Sequence, residues 1–195
     1  MKIALFGGSF DPPHAGHDAI VKEALSTNLA DLLVIMPTFI NPFKSEFTAP
    51  PSLRLKWCQS LWRECKKVLI SDYEISQNRK VATIESVKFL KQKFNPSQIY
   101  LIIGADNLAE LEKWQNFKQL RDLVCFVIAT REGASIPTKW ANLPKIDINV
   151  KISSSSFREN LTGEIPAQIK DEVINFYKGK KCKKQDKEPK KSHIS

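Results

Sequence analysis

The chain has few residues that bind metals or form disulfides. Among its 195 residues are three histidines and four cysteines, and no two cysteines have CxxC spacing. Most of the cysteines lie in apolar or helix-like stretches, so reduced thiols are expected rather than a disulfide framework. No run approaches the roughly 18 apolar residues of a membrane span. The opening MKIALFGG reads as a strand and lacks the h-region and cleavage site of a signal peptide. A soluble, cytoplasmic protein without a membrane partner is expected. Neither GxxxxGK[ST] nor GxGxxG occurs, which excludes the Walker phosphate loop and the dinucleotide fingerprint. There is no internal repeat.

What is present starts with charge. The net charge of +9 suggests a nucleic-acid binder until its location is examined. Residues 178–195 hold eight lysines against Asp186 and Glu188, a net of +6, leaving +3 for the rest. With Ile194 as its one aliphatic residue, that tail cannot offset the entropy of ordering. Residues 1–178 are therefore expected to form one domain, and 179–195 a Lys-rich disordered tail. Nucleic acid is not expected as a partner of the body. A binding module built on the tail would show affinity that falls steeply with salt.

Short apolar runs alternate with amphipathic stretches along the body. Lys2–Gly7, Leu32–Pro37, Lys67–Tyr73, Ile99–Gly104 and Val124–Thr130 are nearly continuous in apolar residues, as strands buried on both faces are. The stretches His17–Ser26, Ser52–Lys66, Thr83–Phe94 and Leu108–Leu120 read as helices. This alternation predicts an α/β fold: a doubly wound, Rossmann-like parallel sheet with helices on both faces. Asn41–Pro51 is a long Pro-bearing loop of the kind that carries binding at strand ends.

The densest local signal is Leu5–Ile20, LFGGSFDPPHAGHDAI. It follows the first strand and runs into the first helix, where open α/β sheets bind ligands. Gly7 and Gly8 allow a sharp turn and close approach to their amides. Pro12 and Pro13 stiffen the connection. His14 and His17 share a face if the helix reaches back to them, beside a helix N-terminus suited to anions. A phosphate site fits this pattern. Zinc does not, because an HxxH pair without a nearby third ligand is too few. Asp11 precedes a proline and reads as the start of a turn.

GGSFDPPHAGH resembles the GxFxPxHxGH signature of the nucleotidylyltransferase superfamily, the adenylyltransferase relatives of class I aminoacyl-tRNA synthetases. Far downstream, ISSSSFREN (Ile152–Asn160) resembles that superfamily's ISSTxIR motif. IIGADNLAELEKW (Ile102–Trp114) is similar to the GaDxl…W segment of bacterial nicotinate-nucleotide adenylyltransferases. NRKVATIES sits where that family has R…SYT…T, and ATRE matches its strand end. Two departures stand out. Phe43 replaces the His of the family's P-H-K, and Val81-Ala82 replaces Ser-Tyr, so that only Thr83 carries over.

The resemblance implies attack by a nucleotide 5′-phosphate on the α-phosphorus of ATP, with Mg²⁺ accompanying ATP and nicotinate mononucleotide as acceptor. It casts His14, His17 and Arg158 as catalytic. It assigns Gly7, Gly8, Ser9, Phe10, His17, Gly104, Asp106, Arg131, Ser154, Ser155 and Arg158 to ATP. Lys44, Thr83 and Trp114 fall to the acceptor. Read from the residues alone, several of these have second meanings. Asp106 suits a helix N-cap as well as a ribose contact, the four serines suit a capped loop, and Trp114 suits a core position as well as stacking on a pyridine ring. Nicotinamide mononucleotide and phosphopantetheine remain alternative acceptors.

Overall fold

The computed structural model describes residues 1–43, 45–131, 135–148, 150 and 152–185. Six strands form one all-parallel sheet: β1 Lys2–Gly8, β2 Leu32–Pro37, β3 Val68–Ile70, β4 Gln98–Gly104, β5 Cys125–Arg131 and β6 Lys145–Ile148. Their order is β3-β2-β1-β4-β5-β6, so the winding reverses between β1 and β4. This is the doubly wound sheet expected from the continuous apolar runs.

The helices are α1 Ala15–Ser26, α2 Pro51–Trp62, α3 Tyr73–Ser76, α4 Thr83–Phe94, α5 Phe117–Leu123, α6 Ser154–Asn160 and α7 Lys170–Gln185. A 3₁₀ helix spans Ala105–Lys113. On one face of the sheet, Ile84, Val87 and Leu90 of α4 and Leu120 of α5 pack on Leu5, Leu101 and Ile103. On the other, Ile20 and Val21 of α1 and Trp62 of α2 pack on Phe6, Ile35 and Val127. Alternate residues of β1 thus serve opposite cores, as strand periodicity requires. A third cluster joins Trp57 of α2, Phe157 of α6 and Val173 and Tyr177 of α7, binding the C-terminal segment to the body.

Several expected boundaries move. The helix predicted over Leu108–Leu120 is two elements, because Asn116 turns left-handed at φ 54° between the 3₁₀ helix and α5. The strand predicted over Lys67–Tyr73 ends at Ile70, and Tyr73 opens α3. Helix α1 begins at Ala15 rather than His17, because His14 caps it. Helix α2 stops at Trp62, short of the expected Lys66. The expected tail begins too early: α7 continues through Gln185, past Lys178. Tyr177 of that helix is buried, and the Lys181 ammonium donates to the Glu159 carbonyl. Residues 186–195 lie outside the described residues. β6 and α7 have no counterpart in the sequence reading.

Candidate active site

A cleft of about 720 Å³ opens beyond the carboxyl ends of β1 and β4, at the reversal point where such sheets bind ligands. Gly7, Gly8, Ser9, Phe10, His14 and His17 line one wall. Ser154, Ser155 and Arg158 line another, and Gly104, Asp106, Thr83 and Trp114 complete it. Lys44 lies outside the described residues. Arg131 ends β5 on the same edge of the sheet, but its side chain is likewise outside them.

The two histidines form a reciprocal cap. The Gly16 N–H donates to His14 Nδ1 at 3.1 Å, and the His14 N–H donates to His17 Nδ1 at 3.2 Å. A ring nitrogen that accepts from a backbone N–H carries no proton, so each neutral imidazole holds its proton on Nε2. The rings lie 3.8 Å apart between centroids, and Phe10 packs on His17 at 4.9 Å. Gly16 leaves room for this approach: a Cβ there would sit 3.1 Å from the His14 ring, a tight contact. The turn before the cap contains Phe10 at φ 48° and a cis Asp11–Pro12 bond.

Asp11 is more than a turn residue. Its carboxylate, 5% exposed, accepts the Thr48 and Ala49 N–H groups at 2.9 Å each and also the Tyr177 hydroxyl. Burial and the adjacent Asp11 charge push the Tyr177 hydroxyl pKa upward. The second wall attaches to the same turn. Arg158 Nη1 donates to the Asp11 carbonyl at 2.6 Å and Nη2 to Ser155 Oγ at 3.0 Å. Ser154 Oγ donates to the Pro12 carbonyl at 2.9 Å. Ser153, not anticipated as a site residue, caps α6 by accepting the Ser156 N–H at 3.1 Å.

The remaining expected positions resolve in part. Gly104, not Asp106, is the N-cap of the 3₁₀ helix, and Asp106 stands exposed at the cleft. Thr83 opens α4, whose cap is completed by Glu85 accepting the Ala82 N–H at 3.1 Å. Trp114 packs against the α4/α5 core and also lines the cleft. Its buried indole N–H has no hydrogen-bond partner among the described residues.

Three polar residues escaped the sequence reading. Glu74 of α3 lines the cleft, buried, and accepts the Ser86 hydroxyl at 2.6 Å. Burial pushes its carboxyl up to about 7, against the opposing pull of that hydrogen bond. Thr38, just past β2, lines the cleft with a buried hydroxyl that has no partner among the described residues. Arg54 of α2 is fully buried. Each sits in a stretch whose pattern looks like an ordinary helix or loop, and no local spacing singles it out.

Among the described residues, no group of three or more His, Cys, Asp or Glu is arranged to hold a metal ion. The cleft's imidazoles, hydroxyls and guanidinium offer hydrogen-bond donors of the kind that suit phosphate oxygens. Among the described residues no helix is long and apolar enough to cross a membrane.

The family model described as cytidylyltransferase-like matches residues 5–160, which span both walls of the cleft. The chain belongs to that family of nucleotidyltransferases. Its relatives include a probable nicotinate-nucleotide adenylyltransferase from Campylobacter fetus, 53% identical over 94% of this chain and 100% of that protein. Another, from Sulfurimonas denitrificans and of the same description, is 48% identical over 93% of this chain and 97% of its own length. The nucleotidyltransferase also superposes on the Plasmodium falciparum nicotinic acid mononucleotide adenylyltransferase complexed with NaAD, with a TM-score of 0.73. That pair is 20% identical and covers 92% and 95% of the two chains, a likeness of fold.

Proposed function

We infer that this nucleotidyltransferase transfers the adenylyl group of ATP to nicotinate mononucleotide, giving deamido-NAD and pyrophosphate. The observation that carries the reading is the meeting of two remote phosphate-type segments in one cleft. Arg158 bonds the Asp11 carbonyl at 2.6 Å, and the two capped histidines line the same space. Relatives about half identical to this chain bear the name of that activity.

In the reaction a 5′-phosphate oxygen of the acceptor forms a bond to the α-phosphorus of ATP while the bond to the bridging oxygen of pyrophosphate breaks. Such a transfer asks the protein for positioning and for donors where charge grows. His14 and His17, each with its proton on Nε2, donate to oxygens of the transferring group. The turn from Gly7 to Phe10 holds the triphosphate. Arg158 uses one N–H of Nη1 and one of Nη2 on its own chain, which leaves guanidinium donors for the leaving pyrophosphate. Mg²⁺ would enter as part of the Mg-ATP substrate, where it would offset phosphate charge; among the described residues no group of three or more His, Cys, Asp or Glu is arranged to hold a metal ion. Thr83 and the Trp114 indole, which line the cleft, receive the acceptor's pyridine nucleotide; Lys44 is assigned to the acceptor with them, and Arg131 to ATP.

The test is pyrophosphate release from Mg-ATP with nicotinate mononucleotide, nicotinamide mononucleotide or phosphopantetheine, compared as kcat/KM. The expected result is a clear preference for nicotinate mononucleotide. Preference for another acceptor would move the protein to a different branch of the family, and activity with none would refute the enzyme reading.

A further inference from the structure

The reaction needs two substrates brought together, and the loops that hold them come from different places. The triphosphate turn follows β1, whereas the long loop after β2 runs beside the acceptor end of the cleft. Both loops are irregular, and their carbonyls lack the ladder partners that strands supply. Arg54 reaches both. Its Nη1 donates to the Ser9 carbonyl at 2.5 Å, Nη2 to the Phe39 carbonyl at 2.7 Å and Nε to the Ala49 carbonyl at 3.0 Å. One planar guanidinium thus ties the triphosphate turn to both ends of the loop spanning Phe39–Ala49. No other side chain offers three donors in so rigid a fork.

The same junction carries its own counter-charge. Asp11 makes no bond to Arg54 but lies close enough to oppose the effect of burial on the guanidinium. Asp11 also accepts the Thr48 and Ala49 N–H groups, so the far end of the loop is gripped at amides as well as at a carbonyl. Phe47 lies over the guanidinium at 5.8 Å and packs edge-on against Phe39 at 6.0 Å, closing the junction from outside. Stability alone is a poor reason to bury two opposite charges, because buried charges can often be replaced by apolar groups without loss. Geometry is a better one. Phe39, held through its carbonyl, follows Thr38, which lines the cleft and whose buried hydroxyl has no partner among the described residues.

We propose that Arg54, with Asp11 as its counter-charge, is a positioning residue that sets the acceptor-side loop against the triphosphate turn. The assignment rests on the adenylyl-transfer reading for its kinetic consequence but not for its structural one. Arg54→Met keeps the aliphatic stem and removes all three donors. Arg54→Lys keeps the charge beside Asp11 and reaches fewer of the carbonyls.

Three measurements on the full chain test it. Hydrogen exchange of residues 38–50 is expected to quicken by about tenfold or more in Arg54→Met while β1 stays protected. Calorimetric binding of a non-hydrolysable ATP analogue is expected to weaken less than acceptor binding, by no more than about threefold, since one of the three carbonyls, that of Ser9, lies in the triphosphate turn and two lie in the loop. The acceptor KM is expected to rise by about tenfold and kcat to fall by up to about 10²-fold, with Arg54→Lys between Met and the parent. Exchange that is unchanged, or that quickens equally in β1, overturns the assignment. So do equal losses in ATP and acceptor affinity, or failure of both variants to fold, which would make Arg54 a residue of the fold alone. If the parent turned over none of the three acceptors, the adenylyl-transfer reading would fail, while the exchange and ATP-binding arms would still decide the clamp.

Discussion

A single side chain in this cleft takes its chemistry from what its second polar atom does. His17 spends Nδ1 on the His14 backbone, which puts its proton on Nε2. His17→Ala is expected to lower kcat by about 10²–10³-fold with a smaller change in KM, as for loss of an oxyanion donor. Steady-state pyrophosphate release checks this, and near-normal turnover would remove His17 from the mechanism. Glu74 behaves differently because it is buried. Its carboxyl is raised from 4.5 to about 7 by burial, with the charge of Glu85 adding and the Ser86 hydroxyl opposing. The native state therefore binds more protons than the unfolded chain between those two values. Stability from this group falls as pH rises from about 4.5 to 7 and is flat above, by up to about 3 kcal/mol. Glu74→Gln should remove that slope, so urea unfolding at pH 5 and pH 8 will differ less in the variant than in the parent. An unchanged difference would show that Glu74 does not titrate in this range.

At the scale of elements, the site depends on how two helices start. Helix α1 starts on a histidine, an unusual cap whose ring accepts the Gly16 N–H. Helix α6 has only seven residues and relies on Ser153 at its start and on buried Phe157 in the third core. Ser153→Ala should cost about 1 kcal/mol in stability, the usual loss for such a cap. Because α6 carries Arg158, the same change should weaken ATP binding more than acceptor binding. Calorimetry with a non-hydrolysable ATP analogue, set beside the acceptor KM, checks the split. The element level also explains the boundary errors. An amphipathic stripe continues across Trp114–Asn116, but the left-handed Asn116 breaks the backbone there, and periodicity does not register φ.

For the whole molecule, the C-terminal helix belongs to the active architecture. Tyr177 bonds Asp11, and Val173 packs with Trp57 and Phe157, so α7 braces the triphosphate turn from outside. A chain ending at Gln185 should keep kcat/KM within about twofold, whereas one ending at Phe176 should lose most activity and melt earlier. Thermal unfolding and pyrophosphate release on the two truncations distinguish this from a dispensable tail. Equal activity in both would separate α7 from the site.

Much of this was legible in the chain itself. Continuous Val- and Ile-rich runs separated by amphipathic stretches determine a covered parallel sheet, because a strand buried on both faces has no polar side to show. LFGGSFDPPHAGH determines a tight turn into a helix start at the cleft, because glycine, proline and histidine act there through local geometry. ISSSSFR and the GADN…W segment were likewise visible as motifs. What only the tertiary structure decided is the set of polar contacts made across distance. Arg54 reads as one more residue of a helix until three carbonyls from separate loops converge on it. Asp11 reads as a turn starter until α7 and the loop after β2 reach it, and Glu74 as a loop acid until packing removes its water. The role of a buried polar group is set by partners far away in sequence, and local pattern carries no trace of them.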